Sequence, residues 1–304
     1  MITNSINKSM PQQQSRPSYL WPVMLAGITA ISFAAVLIKS CQAPPLAIAL
    51  YRLGFASLLL LPVFAAKKGF RHLRRADVLW AVLSGLFLSL HFVLWIYSLS
   101  YTSVVSSVVF VTTNPLFVSL LGWLLFRERP GIRIFLAILL VLLGGGLIAG
   151  RSDLSGPANF GNLLALGGAV MASCYLLVGR YLRNRMGILP YITLCYGTTA
   201  IILLAASLVF RVQLWGFDGR TWLFFLMLAL GPQLIGHSAF NWGLKYFSTP
   251  KIAMLIITEP VGSALLAWAI LRQMPTGFEV IGGLLILAGV YLTVAEKPVR
   301  ATPL

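Results

Sequence analysis

Thr112 to Pro130 reads TTNPLFVSLLGWLLFRERP, and Ile257 to Pro275 reads ITEPVGSALLAWAILRQMP. The two stretches align without a gap at an offset of 145 residues, pairing Pro115 with Pro260, Trp123 with Trp268, Arg127 with Arg272 and Pro130 with Pro275. The offset also pairs Pro45 with Pro190, Tyr101 with Tyr246 and Gly144 with Gly289, and 14 of the 50 pairs between 101–150 and 246–295 are identical. One half of the chain is a copy of the other, and both halves are built from long apolar runs.

Of the 304 residues, 59% are hydrophobic and only 10% charged, where a soluble domain carries roughly 25% charged. Apolar runs of about 20 residues fit helices crossing a ~30 Å hydrocarbon core, and their periodicity is helical rather than the alternation of a barrel strand. The net charge of +16 does not signal nucleic acid, because the bases sit in short loops between apolar runs, as in cytoplasmic membrane loops. The expected surroundings are therefore a lipid bilayer, with a multi-pass location in the cell (plasma or inner) membrane. Cys41, Cys174 and Cys195 are odd in number and offer no disulfide framework or metal-ligand spacing. No cofactor or metal is expected.

Residues 1–17 are polar and read as a cytoplasmic tail, followed by a repeat over 18–150, a second over 159–295 and a tail over 296–304. Ten spans are expected: 18–38, 44–66, 76–98, 103–125, 131–149, 159–181, 189–210, 220–243, 250–271 and 276–295. With the N-terminus inside, 17 Lys and Arg fall on inner segments and 5 on outer ones, Arg52 lying within a span; this asymmetry puts both termini in the cytoplasm. A five-span unit has an odd number of crossings, so its second copy is inverted. The fold class expected is an all-α polytopic membrane protein of ten transmembrane helices in two inverted-topology five-helix repeats. Such repeats support alternating access to a midplane site between the halves.

The run LYRLGFASLLLLP around Arg52, the run HFVLWIYSLSYTSVVSSVVF from His91, the Asn114-Pro115 and Glu259-Pro260 copies and the glycine-rich fifth and tenth spans together resemble the drug/metabolite transporter superfamily, specifically ten-helix EamA-type exporters. The resemblance covers about residues 18–295 and implies export of amino acids or other small metabolites, drugs among them in some members. The family pattern closes the fourth and ninth spans with Gly-Glu; here the copies read Arg127-Glu128 and Arg272-Gln273.

Polar residues within the spans are the site candidates, since an ionisable group in hydrocarbon needs a partner or a wet cavity. Glu259, in the ninth span, reads either as a proton-coupling carboxylate or as a structural acceptor beside the proline break. Its repeat mate Asn114 cannot ionise. Arg52 reads as a substrate-carboxylate anchor, which a guanidinium grips bidentately, or as an internally paired charge. Ser84, His91, Trp95 and Ser98 share one helical face, and Gln233, His237 and Asn241 follow at i, i+4, i+8 with Trp242 beside them. His91 maps to Gly236, one residue from His237, so each half offers an imidazole at nearly one depth. His91, Trp95, His237, Asn241 and Trp242 are the expected substrate-binding set, with Ser32 and Tyr175 as further candidates. Gly144, Gly145, Gly146, Gly282, Gly283 and Gly289 read as close helix packing, within the fold or at a homodimer contact.

Catalysis has little to work with. Of seven acidic residues only Glu259 is deep, which removes a paired-carboxylate mechanism. The expectation is a non-enzymatic exporter of small organic solutes. A flippase of a lipid-linked carrier is the alternative, and an intramembrane enzyme using Ser84 and the histidines ranks below it. A flippase would call for a second deep base facing the cavity.

Overall fold

The computed structural model describes residues 17–67, 73–126, 132–149, 156–247, 252, 255–256 and 258–295. Among them the chain is all helix and turn: α1 (Leu20–Ser32), α2 (Ala34–Ser40), α3 (Pro45–Ala66), α4 (Arg75–Tyr101), α5 (Val104–Val111), α6 (Asn114–Phe126), α7 (Ile132–Ala149), α8 (Pro157–Arg183), α9 (Ile188–Val209), α10 (Gly219–Leu228), a π-helical segment (Ala229–His237), α11 (Ser238–Gly243), α12 (Glu259–Leu271) and α13 (Gly277–Ala295). Seven apolar stretches among the described residues are long enough to span: Leu20–Ser40, Pro45–Ala66, Arg75–Tyr101, Val104–Leu121, Pro157–Arg183, Ile188–Val209 and Gly219–Gly243. Three shorter apolar helices, Phe135–Ile148, Glu259–Leu271 and Gly277–Leu292, fall on the expected fifth, ninth and tenth spans. At 1.5 Å per residue they reach only about 20 Å.

The helix interruptions have identifiable causes. α5 ends at Val111 and α6 begins at Asn114, because Pro115 has no N–H to give the Val111 carbonyl. Side chains cover part of the gap: Thr112 Oγ1 donates to Val108 O at 2.9 Å and Thr113 Oγ1 to Phe110 O at 2.7 Å. In the second half α12 begins at Glu259 ahead of Pro260, and Thr258 Oγ1 donates to Leu255 O at 2.8 Å. Thr258 and Leu255 are the repeat mates of Thr113 and Phe110. The eighth span is disturbed differently. Around Pro232 the turns widen, and the Ser238 N–H reaches the Gln233 carbonyl five residues back; such wide turns recur at functional sites.

α4 lies along α8, α3 packs against α9, and α7 packs against α13. The last two are contacts between repeat-related elements. The α7–α13 seam is close because it is made of glycine: a Cβ on Gly144 would stand 2.4 Å from the Gly282 carbonyl oxygen, and one on Gly282 would stand 2.6 Å from that of Gly144. These glycines thus have an intramolecular use. Leu139, Leu142 and Leu143 on α7 and Leu284 on α13 are exposed, as expected of helices that face lipid.

At the opposite edge of α13, Thr276 and Glu279 form a reciprocal cap: Thr276 N–H donates to Glu279 Oε2 at 2.8 Å and Glu279 N–H to Thr276 Oγ1 at 3.2 Å. The other carboxylate oxygen accepts from Ser103 Oγ and, at 3.2 Å, from Ser106 Oγ at the start of α5. Gln273 Oε1 accepts from the Val104 N–H at 3.3 Å. One end of the first half is thereby clamped to the second.

Candidate functional site

Both proline breaks open onto the same cavity. Its wall is made by Val111, Thr112 and Asn114 at the first break, Ile256 and Glu259 at the second, His91 and Trp95 on α4, Ala172, Tyr175 and Leu176 on α8, Ile31 on α1, His237 on the π segment and Phe240 on α11. Val111 and Ile256 are repeat mates, as are Asn114 and Glu259. The helix breaks that deprive two carbonyls of their donors therefore also bring polar backbone to the contact between the two halves. Irregular backbone is tolerated inside a membrane where it lines such a cavity.

The two imidazoles face one another across it. Their ring centroids are 6.3 Å apart. His91 Nδ1 donates to the Gly168 carbonyl at 2.9 Å, and its ring stacks on Trp95 at 6.0 Å with 12° between planes. His237 meets the edge of Phe92 at 5.3 Å and Tyr175 at 6.4 Å. In a regular helix Gly236, the repeat mate of His91, would take the matching place. The widened turns rephase the segment, and His237 reaches the cavity instead.

Of the other expected site residues, Tyr175, Trp95 and Glu259 line the cavity. Asn241 stands behind it. It is fully buried, and its Nδ2 donates to Tyr175 OH at 2.5 Å and to Tyr196 OH at 3.2 Å, so it positions Tyr175. Arg52 is also one layer back. Its guanidinium lies 4.2 Å over the Phe92 ring and 6.0 Å from Trp95, and Nε donates to Gln233 Oε1 at 2.9 Å. Among the described residues it has no direct ion pair; Tyr196, Glu259 and Tyr175 are its electrostatic neighbours. Trp242, one step round the helix from Asn241, turns away to stack on Tyr19 at 5.8 Å and tilt against Tyr246 at 4.8 Å. Ser32 donates to its own helix, to Ile28 O at 3.0 Å, while its carbonyl accepts from Ser263 Oγ at 3.1 Å. Ser84 is engaged by Tyr191 OH at 2.9 Å, far from any nucleophilic pairing with His91.

Several buried polar atoms in and behind the wall have no hydrogen-bond partner among the described residues: Trp95 Nε1, Asn114 Oδ1, and Nη1 and Nη2 of Arg52. Buried polar groups are nearly always paired, and an unpaired one costs about 1–3 kcal/mol. Trp95 and Asn114 belong to the cavity wall, so a parting of the walls would offer an orphaned donor and an orphaned acceptor to a polar ligand or water. The cavity is narrow in this conformation, with about 50 Å³ of room for water centres. That admits a few waters and excludes an amino-acid-sized solute until the walls part.

Sequence reasoning missed Asn114, Thr112 and Val111 as cavity residues. The signal was available: a proline mid-span, preceded by small polar residues, in both copies. It also missed the Glu279 clamp, although Thr276-Gly-Phe-Glu279 is a capping-box pattern.

A model of the EamA-like transporter family matches residues 17–150 and again 159–295. An uncharacterized transporter of Archaeoglobus fulgidus is 26% identical over 278 residues, 89% of this chain and 94% of the relative. The uncharacterized transporter YdfC of Bacillus subtilis is 25% identical over 274 residues, 89% of this chain and 88% of the relative. A solved crystal structure superposes with a TM-score of 0.64 at 20% identity, covering 91% of this chain and 98% of that one.

Proposed function

Given that the chain belongs to the EamA-like transporter family and is a multi-pass membrane protein, we propose that it exports small organic solutes, amino acids or related metabolites, by alternating access of two inverted five-helix halves. The observation that carries this reading is the cavity where both proline breaks meet, with an imidazole from each half and unpaired polar atoms on its wall. Ten crossings, with the three short helices completing the spans and both termini cytoplasmic, are the topology this mechanism uses. A solute with both charges would suit the wall: Glu259 for an ammonium, the Trp95 N–H for a carboxylate, Arg52 drawing the anion from behind Phe92. His91, Trp95, Tyr175 and His237 frame it, Asn241 holds Tyr175, and Ser32 and Trp242 support the fold around it.

In that orientation the Glu279 clamp lies at the outer end. On this reading the narrow cavity and the intact clamp fit a state closed to the outside, and outward release would require the clamp to part. Glu259 beside the cavity supplies a group that can carry a proton in one direction and a substrate charge in the other. The flippase reading is weakened because none of the described cavity-lining residues is Lys or Arg.

The test is uptake by proteoliposomes of an amino-acid panel, with and without an imposed pH gradient, for the wild type and Glu259→Gln. Gradient-accelerated flux that the variant loses supports coupling through Glu259. Gradient-independent flux in both leaves a facilitative carrier. Absence of flux for the whole panel overturns the proposal.

A further inference from the structure

A second pocket lies far from the cavity, where the start of α4 meets the end of α8. It is lined by Leu73, Arg74, Asp77, Arg185 and Met186. Arg185 Nη1 stands 3.7 Å from Asp77 Oδ1, and its guanidinium lies 4.4 Å over the Tyr181 ring. It is held on two sides and half exposed. Arg183 donates from Nη1 to the Met186 carbonyl at 2.5 Å and from Nε to the Asn241 carbonyl at 3.2 Å, which fixes the turn that carries Arg185. Arg74 and Arg75 are exposed on the facing side. Asp77 offsets one arginine, so the pocket stays net positive.

The apolar side of the same site is aromatic. Trp80 and Tyr181 meet at 5.4 Å across α4 and α8, and they are 41% and 40% exposed; Leu79 beside them is 69% exposed. Arginines above an exposed Trp–Tyr pair on spanning helices are the arrangement of a headgroup level over an acyl level. The repeat does not demand it. The 145-residue offset places Gly219 for Arg74, Trp222 for Asp77, Val36 for Tyr181 and Ser40 for Arg185, so the other half carries no copy.

We propose that this pocket binds one anionic phospholipid, its headgroup phosphate between Arg74 and Arg185 and its acyl chains over Trp80 and Tyr181. The site is distinct from the cavity and needs no transport cycle. It is tested on the full chain in detergent by native mass spectrometry, titrating phosphatidylglycerol against phosphatidylcholine. The expected result is preferential retention of phosphatidylglycerol, weakened about fivefold for each of Arg74→Gln and Arg185→Gln, and weakened also by Trp80→Leu with the charges intact. Arg74 caps α4 without a side-chain hydrogen bond, so its replacement leaves the helix start unaltered, and melting temperature checks each variant. The controls Arg211→Gln and Arg220→Gln each remove one charge elsewhere and should leave the preference unchanged. Equal retention of the two lipids, or equal losses in the controls, would overturn the proposal. Displacement of phosphatidylglycerol by millimolar glycerol 3-phosphate would overturn the lipid assignment in favour of a soluble phosphate.

Discussion

At the first proline break Thr113 bonds the Phe110 carbonyl at 2.7 Å; at the second Thr258 bonds the Leu255 carbonyl at 2.8 Å. The residue before each proline then faces the cavity, but it is Asn114 in one half and Glu259 in the other. The duplication has kept the backbone device and let the chemistry diverge. In the proposed mechanism a break that opens two spans at one level would serve any solute, and an ionisable group at only one copy would give the two halves different responses to protons. The same divergence separates α4, a regular helix through His91, from the π segment through His237.

The sharpest way to break this comparison is to exchange its chemistry. Glu259→Gln should lower gradient-driven flux about tenfold or more while leaving the protein folded, and Asn114→Asp should not rescue it, because the second carboxylate lies on the other half. Rescue would show that either break can host the coupling group. The next effect is on stability. Gly144→Ala forces a methyl to within 2.4 Å of backbone, and such overpacking costs about 1–3 kcal/mol. Thermal melting in detergent should fall clearly for Gly144→Ala and Gly282→Ala, and hardly at all for Gly146→Ala, where the space is open. Smaller again is the clamp. Glu279→Gln keeps part of the cap and weakens the bonds from Ser103 and Ser106; thiol labelling of a cavity cysteine from outside should rise several-fold, with little loss of melting temperature.

The smallest effect belongs to Asp218, outside the spans. Its carboxylate caps α10 by accepting from the Thr221 N–H at 3.0 Å, and hydrogen bonds from Thr221 hold it below the usual carboxylate range. A carboxyl so depressed stabilises at neutral pH and loses that contribution as the pH falls through its lowered folded value. Melting temperature measured from neutral to acid should therefore show a slight acid-side loss in the wild type that Asp218→Asn lacks.

Much of this was legible in the sequence. The offset of 145 residues and seven of the span positions follow from composition and spacing; the sequence placed His237 within one residue of the mate of His91, but not the turn geometry that brings the two rings together. The eighth span was harder, because regular i, i+4 spacing does not foresee widened turns around Pro232, and these decide that Asn241 supports Tyr175 from behind. Trp242 could not be placed from its neighbour alone: one residue further along turns a side chain about 100° and takes it out of the cavity. Arg52 illustrates a different limit. Burial of a charge is readable from hydropathy, but which ring stands between it and the cavity depends on packing between α3 and α4.

The most direct test uses the repeat mates Val111 and Ile256, which line the cavity from opposite halves. Each is replaced by cysteine in a background lacking Cys41, Cys174 and Cys195, and a membrane-impermeant thiol reagent is applied to right-side-out and inside-out vesicles. Alternating access predicts that both positions are labelled from both faces, and that bound substrate slows both. Labelling of either position from one face only, or from neither, would contradict it.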